Sequence, residues 1–260
     1  MVNILYIHSN GNPHRDSRFI EELQKHSDVR VTVCDAETML WSLQSRDRKI
    51  NTDCVINMHR NKQIADILKN KNIPCYNDID GQFLANDKWE CYLALNKINI
   101  PQPNTSRTYI DGSTNVYKDR YGSYGRNIYL VENDIGSNED YIYQTYIKES
   151  AGKSIRVVMV NKKPIAAVLK VNTKTFKSHY AYGGYNVRYK VTPELQEMCI
   201  KVAEHLKLNY CALDILESNQ GYLLLEVNSC AGLQNIESFT GVNIAKHVVD
   251  DIVNKYKKPL

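Results

Sequence analysis

The chain has 260 residues, a net charge of +4 and a hydrophobic content of 43%, as expected for an ordinary folded protein. A charge this small gives little support to nucleic-acid binding, and no apolar run reaches the ~18 residues of a membrane-spanning helix. Seven scattered cysteines without C-x-x-C spacing predict reduced thiols in a cytoplasmic protein, not disulfides or a zinc site.

Residues 1–80 alternate the signals of strands and helices, which indicates a small parallel sheet with helices on its faces. The predicted strands are residues 4–8, 29–33, 54–58 and 74–76. The predicted helices are a segment around residues 19–23 and residues 61–69.

Polar residues follow the predicted strand ends of this sheet, where open α/β sheets bind ligands. They are His8, Asn10, His59 and Arg60. For Arg60 two interpretations stay open: a contact to a substrate carboxylate, and an ordinary exposed loop arginine.

The middle of the chain opens with a predicted helix that begins at residues 86–87 and ends near residue 99, before Pro101. Residues 104–145 then become rich in Tyr and Gly. They predict a small β-rich subdomain made of short strands and turns.

From residue 155 onward the pattern is regular again. Residues 155–161 and 165–171 predict a hairpin. Thr192 as N-cap, with Pro193 at the first helical position, predicts the start of a core-packed helix. Apolar residues over 244–253 predict a closing helix.

The most informative stretch is residues 211–228, in which two apolar runs flank a short polar loop. Gly221 suits the left-handed last position of a three-residue loop. In that register Asp214 faces Glu226 across the hairpin, with Cβ atoms ~4.5–5.5 Å apart. Asn228 follows two residues later and therefore lies on the same face.

Two opposed carboxylates repel each other unless a cation lies between them. Together with the amide oxygen of Asn228, Asp214 and Glu226 are hard ligands that suit magnesium. The alternative is a pair of solvated charges at a strand end. Both acids interrupt apolar strands, where an unpaired charge is costly, and this favours the metal site. A two-residue turn would instead place the acids on opposite faces.

A lysine and a glycine turn form a second candidate site. Lys118 precedes the turn Gly122-Ser123-Tyr124-Gly125 by four residues. Glycines let backbone N–H groups converge on an anion, and a lysine adds charge for a phosphate. The alternative is a β-turn beside an exposed lysine.

Two further segments have less specific signals. Lys88 lies in the first turn of its helix, where a cation opposes the helix dipole. A bound anion would explain this position, and so would solvent exposure. The extended segment 144–147 can present backbone groups to an adenine edge, or it can be an ordinary strand.

Together these residues resemble the ATP-grasp superfamily, and most closely its RimK-type branch, which attaches amino acids such as glutamate to carboxylates. The resemblance extends from about residue 86 to residue 252. The similar positions are Asp87-Lys88, Lys118, the glycine turn, residues 144–149, Gly152, Ile155-Arg156, residues 176–179, Gly183-Gly184, Asp214 and the run from Glu226 to Gly241. The departures are Thr145 and Ser154 in place of acids, Lys170 and Lys177 in place of arginines, His179 in place of Asn and Ala231 in place of Pro.

The resemblance implies an α/β (α+β) ATP-grasp fold. Residues 1–84 would form an N-terminal Rossmann-like domain, and residues 85–260 an ATP-grasp domain with a shortened lid at 104–145. The implied enzyme is an ADP-forming carboxylate–amine ligase. A carboxylate attacks the γ-phosphate of ATP to give an acyl phosphate, and an amine then displaces phosphate.

The resemblance also implies roles for individual residues. The metal ligands would be Asp214, Glu226 and Asn228, for one or two magnesium ions that manganese can replace. The nucleotide contacts would be Lys88, Lys118, Gly122, Ser123, Gly125, Gln144, Thr145, Tyr146, Ile147 and Ser154. The groups that stabilise the acyl phosphate would be Arg156, Lys170 and Lys177.

The implied partners are a small-molecule or peptide carboxylate and an amino-acid-like amine, with no nucleic acid, no membrane and a homo-oligomeric assembly. Two alternatives stay open. One is a phosphotransferase on the same fold, which would give a phosphorylated acceptor. The other is a non-catalytic nucleotide-binding module, favoured by the short lid and by Thr145 and Ser154.

Overall fold

A computed structural model describes residues 1–8, 13–44, 50–123 and 125–257. The expectations for Asn10 and for Tyr124 of the glycine turn lie outside these ranges. The strands are β1 (Val2–His8), β2 (Val29–Asp35), β3 (Cys54–Asn57), β4 (Thr105–Ser106), β5 (Asn115–Asp119), β6 (Ile128–Val131), β7 (Tyr141–Thr145), β8 (Lys153–Val160), β9 (Lys163–Val171), β10 (Tyr185–Arg188), β11 (Tyr210–Ser218) and β12 (Gly221–Asn228). The helices are α1 (Pro13–Gln24), α2 (Ala36–Gln44), α3 (Lys62–Asn70), α4 (Ile79–Asn86), α5 (Lys88–Asn96), α6 (Pro193–His205), α7 (Gln234–Thr240) and α8 (Ile244–Tyr256).

The N-terminal sheet is parallel, with strand order β2-β1-β3, as the strand–helix alternation predicts. The expected strand at 74–76 is wrong, because this segment makes a single parallel bridge between Val55 and Cys75. The chain turns away at Asp78, whose carboxylate accepts the N–H of Gly81 and caps α4. Helix α4 was not predicted, because it has a glycine inside it and no clear apolar stripe.

A five-stranded antiparallel sheet forms the centre of the molecule, in the order β10-β9-β8-β11-β12. One face packs on α6 through residues such as Ile155 and Val157 of β8. The other face shares its core with α1, α8 and the N-terminal sheet, where Phe19 lies edge-on against Tyr210. Because side chains alternate along a strand, Arg156 of β8 lies on this second face.

A four-stranded antiparallel sheet, in the order β4-β7-β5-β6, lies in the segment that was predicted to be a shortened lid. In the described part of the chain between Thr105 and Thr145 there are strands and turns but no helix. A cleft separates this sheet from the five-stranded sheet, and both contribute side chains to its walls.

The turn that starts β8 needs a glycine. Gly152 has a φ of 67°, and a Cβ there would lie 2.1 Å from the carbonyl oxygen of Asn172. We expect Gly152→Ala to lower the free energy of unfolding by about 3 kcal/mol, from backbone strain and overpacking together. Gly136→Ala is the matched control, since Gly136 has a φ of 90° and open space around it. Equal losses in urea denaturation would show that the close approach to Asn172 is unimportant.

Candidate functional site

The β11–β12 hairpin brings the two predicted acids together. Asp214 pairs with Glu226 in the strand register, as expected. The predicted three-residue loop is wrong, because Ser218 pairs with Gly221 across a two-residue turn. A β-bulge beside Asp214 restores the register by leaving Leu225 without a partner on β11. The acids therefore share a face despite the shorter turn.

Asp214 is the centre of a buried ion network. Its side chain is 3% exposed and accepts two hydrogen bonds from Arg156, at 2.9 Å from Nε and 2.6 Å from Nη2. Lys170 Nζ donates to Oδ1 of the same carboxylate at 2.8 Å. Burial opposes the charge on Asp214, but Arg156 and Lys170 outweigh it and hold the pKa of this carboxyl well below its usual range. Asp214 is therefore ionised at neutral pH.

The oxygens of Asp214 and Glu226 converge on one point. The amide nitrogen of Asn228 lies there, 3.3 Å from Asp214 Oδ2 and 3.1 Å from Glu226 Oε1. A donor group thus occupies the position that a cation would take. Turning the Asn228 amide by 180° would present its oxygen instead, giving two carboxylates and an amide oxygen. This donor set fits magnesium, which binds a few protein oxygens and completes its shell with water and phosphate.

Two lysines lie on the opposite wall of the cleft. Lys118 of β5 is 3% exposed, and its Nζ donates to Oε1 of Gln144 at 2.8 Å. Burial, followed by repulsion from Lys88, lowers the pKa of Lys118 to about 8. Lys88 donates to the carbonyl of Gly122, and burial lowers its pKa as well. The hydrogen bonds of these lysines go to an amide oxygen and a backbone carbonyl, so both lysines are suited to an anion.

The glycine turn is held from two sides. Lys88 bonds the carbonyl of Gly122, while the Tyr182 hydroxyl donates to the carbonyl of Gly125 at 2.9 Å. Lys177 reaches the same Gly125 carbonyl at 3.4 Å, and its ammonium lies 4.6 Å from the centre of the Tyr182 ring. Lys88 and Lys177, which were predicted to contact phosphates, thus hold the glycine turn at the cleft.

The cleft has a volume of about 590 Å³, which is within the usual range for small-ligand sites. It brings together these predicted residues: Lys88, Lys118, Gly122, Ser123, Gly125, Gln144, Thr145, Tyr146, Ile147, Arg156, Lys170, Lys177, Asp214, Glu226 and Asn228. Ser154 is the exception. It is 3% exposed and bonds Ser178 through its hydroxyl at 2.7 Å, so Ser178 lines the cleft in its place.

The structure adds cleft residues that the sequence did not reveal. They include Arg15, Asp119, Arg126, Lys153, Asn186, Gln234 and Asn235. Arg60, one of the strand-end candidates, also lines the cleft and is an exposed side chain. With these residues the wall carries nine lysines and arginines but three carboxylates. The cleft is therefore electropositive and favours anionic ligands.

Asp87 has a structural task that the sequence motif does not show. Its carboxylate caps α5 by accepting the N–H groups of Trp89 and Glu90. It also accepts two hydrogen bonds from Arg120 at 2.6 Å each, which tie α5 to the end of β5. Asp87 thus fixes the helix start from which Lys88 enters the cleft.

A family model described as the RimK-like ATP-grasp domain matches residues 85–252. A protein of Pseudoalteromonas atlantica named "Probable alpha-L-glutamate ligase 2" is 35% identical over 129 residues, which are 49% of this chain and 43% of that protein. A "Probable alpha-L-glutamate ligase" of Histophilus somni is 26% identical over 211 residues, or 73% of this chain and 71% of that protein. The match spans less than half the length of the first of these relatives.

Solved structures share the fold at low sequence identity. The ATP-grasp ligase PsnB, solved with its minimal precursor, superimposes with a TM-score of 0.72 at 15% identity, covering 99% of this chain and all of that chain. D-alanine–D-alanine ligase from Bacillus anthracis, solved with ATP, gives a TM-score of 0.71 at 13% identity, covering 98% of this chain and 97% of that chain. The predicted ATP-grasp fold is thereby confirmed.

Proposed function

The chain belongs to the RimK-like ATP-grasp family, and we propose on that basis that it is an ADP-forming carboxylate–amine ligase. The observation that carries the proposal is the convergence of Asp214, Glu226 and Asn228 beside Arg156 and Lys170 in one electropositive cleft. Phosphoryl transfer needs positioned phosphates and neutralised charge, and these groups supply both.

Asp214, Glu226 and Asn228 would hold one or two magnesium ions, with manganese as a substitute. A metal held there would neutralise negative charge on the phosphates. Across the cleft, Lys88 and Lys118 would contact the α- and β-phosphates of ATP. The glycine turn would cover the triphosphate with backbone N–H groups, including those of Ser123 and Gly125. The segment 144–147 lines the cleft near Lys118 and would hold the adenine.

The chain's own cations would act on the reacting carboxylate. A carboxylate oxygen attacks the γ-phosphorus, the bond to the β–γ bridging oxygen breaks, and ADP leaves with that electron pair. Lys170, Arg156 and Lys177 would stabilise the charge on the acyl phosphate. Arg156 and Lys170 need no rearrangement for this task, because Asp214 already fixes both in place.

The substrates would be a small-molecule or peptide carboxylate and an amino-acid-like amine. The charge of the cleft wall supports an anionic acceptor, and the names of the relatives make L-glutamate the first amine to test. All seven cysteines are described and all are free thiols, which supports a cytoplasmic location. In the described ranges the longest helices are too short and too polar to cross a bilayer. A homo-oligomer stays an expectation from the resemblance.

The proposal is tested by ADP release with ATP and magnesium against a panel of amino acids, each paired with carboxylate or peptide acceptors. Mass spectrometry should find a product equal to the two partners minus water, with one ADP formed per product. A phosphorylated acceptor without condensation would indicate the phosphotransferase instead. Nucleotide binding without turnover across the panel would count for the non-catalytic module.

Nucleotide affinity should depend on the charge of Lys118. Because its pKa is about 8, Lys118 is mostly protonated at pH 7 and mostly neutral at pH 9. Only the charged form attracts a phosphate, so affinity for a non-hydrolysable ATP analogue should fall about tenfold over this range. Calorimetric titration at the two pH values measures it. In Lys118→Met, which has no titratable group at this position, binding should be weak at both pH values. If this variant kept the pH dependence of wild type, the assignment would be contradicted.

A further inference from the structure

Strand β10 has an inverted pattern of burial. It is an edge strand whose outward residues are apolar and exposed, with Tyr185 at 51% and Val187 at 41%. Its inward residue is polar: Asn186 is 9% exposed. An edge strand that packs on a core shows the reverse alternation, with its apolar side chains inward. The inward position of Asn186 therefore belongs to a site and not to a core.

The Asn186 amide is oriented by one partner, and its oxygen is left unpaired. Its Nδ2 donates to the backbone carbonyl of Asn235 at 3.3 Å. Because a carbonyl can only accept, this contact fixes which end of the amide is nitrogen. Oδ1 is buried, and among the described residues no group donates to it. A buried acceptor of this kind is normally satisfied, so a ligand donor is expected.

The strand register places this acceptor beside the reaction centre. Asn186 pairs directly with Lys170 of β9, so their side chains are neighbours on the cleft face. Lys170 in turn bonds Asp214. Asn186 also lines the cleft. Its unpaired oxygen therefore belongs to a residue next to Lys170, one of the groups proposed to stabilise the acyl phosphate.

The chemistry of the reactants selects the ligand. The triphosphate and the carboxylate present oxygens without hydrogen, which an amide oxygen repels. The amine is the reacting group that brings N–H donors. The positive charge of Lys170 disfavours an ammonium ion next to it, and a neutral amide tolerates the uncharged amine, which is the nucleophilic form.

We propose that Asn186 is the amine-binding residue of this cleft, with its Oδ1 accepting a hydrogen bond from the nucleophile. The inference rests on the proposed ligase function. With one N–H held by Asn186, the nitrogen lone pair can face the acyl carbon. The C–N bond then forms, the C–O bond to phosphate breaks, phosphate leaves with the electron pair, and the surplus proton on nitrogen passes to solvent.

The test separates the two half-reactions. Asn186→Leu removes the acceptor at similar size, and Asn186→Asp keeps one. In Asn186→Leu the KM for the amine should rise about 10- to 100-fold. Positional isotope exchange in ATP, which needs the carboxylate but no amine, should stay within about twofold of wild type. Asn186→Asp should retain most of the amine affinity. Tyr185→Leu, on the solvent side of the same strand, is the control and should change neither value.

An unchanged KM for the amine in Asn186→Leu overturns the proposal, as does an equal loss of both half-reactions. A direct binding measurement distinguishes this failure from failure of the ligase function. L-glutamate is titrated into protein that holds magnesium and a non-hydrolysable ATP analogue. If wild type turns over no substrate but binds L-glutamate, and Asn186→Leu binds it at least about tenfold more weakly, the site stands without the reaction. The site is rejected if wild type and Asn186→Leu bind L-glutamate equally. It is also rejected if wild type neither turns over substrate nor binds L-glutamate.

Discussion

A Glu226→Gln variant keeps its fold and releases no ADP above background at any substrate concentration. Glutamine can still accept the hydrogen bond that Asn228 donates to Glu226 at 3.1 Å, so the hairpin is preserved. What is lost is one of the two negative charges that would hold a divalent cation against the phosphates. We expect kcat/KM to fall at least about 1,000-fold, a loss typical of removing an electrostatic group from a phosphoryl-transfer site.

The measurement is a coupled ADP assay with magnesium varied over a wide range. The control is Glu197→Gln, which removes an exposed carboxylate that pairs with Lys201 on α6, away from the cleft. Its activity should equal that of wild type. Full activity in Glu226→Gln would remove the metal assignment.

The second large effect concerns stability. Replacing Asp214 by Leu leaves the buried Lys170 and the partly buried Arg156 without their shared counter-charge. Removing one partner of a buried ion network costs about 3–5 kcal/mol, because the remaining charges cannot regain their hydration. Urea denaturation should report a loss of this size in the free energy of unfolding. A loss below about 1 kcal/mol, the value of an exposed pair, would mean that water reaches the network.

A triple variant separates charge from packing. Asp214→Leu combined with Arg156→Met and Lys170→Met removes all three charges at similar volume and should recover most of the lost stability without activity. The pH dependence has a definite sign. The folded-state pKa of Asp214 is depressed, so its contribution to the free energy of unfolding is complete above about pH 5 and is lost as the pH falls further.

In the β11–β12 hairpin the pairing of the two acids was predicted correctly, but the turn that produces it was not. The pairing of Asp214 with Glu226 was predicted from a three-residue loop, whereas the chain uses a two-residue turn and a bulge. The turn and the bulge shift the register by one residue each in compensating directions. The run Leu223-Leu224-Leu225, which breaks the alternation of the strand, is the only local hint of the bulge.

Elements with strong local signals were predictable. Thr192 caps α6 with Pro193 at its start, as the sequence indicates, and β8 and β9 form the expected hairpin. Helix α4 was not predicted because its residues have no periodic apolar face and include Gly81. That glycine is required by tertiary packing, since a Cβ there would overlap the carbonyl of Leu206.

Contacts between distant segments could not be predicted. The pairing of Asp87 with Arg120 joins residues 33 positions apart, and Arg15 donates to the carbonyl of Cys230 across 215 positions. Nothing in the local sequence marks Asn186 as inward-facing, because the alternation in Tyr185–Arg188 predicts that the apolar residues face inward. Such residues become visible only once the register to Lys170 is known.

The central claim, that a carboxylate is activated as an acyl phosphate in this cleft, is tested most directly with an ¹⁸O-labelled carboxylate substrate. After turnover with ATP, magnesium and the amine, the released phosphate is analysed by mass spectrometry. The proposed ligase transfers one labelled oxygen into phosphate for each ADP formed, because the C–O bond breaks when the amine attacks. Unlabelled phosphate, or label that stays wholly with a phosphorylated acceptor, would contradict it.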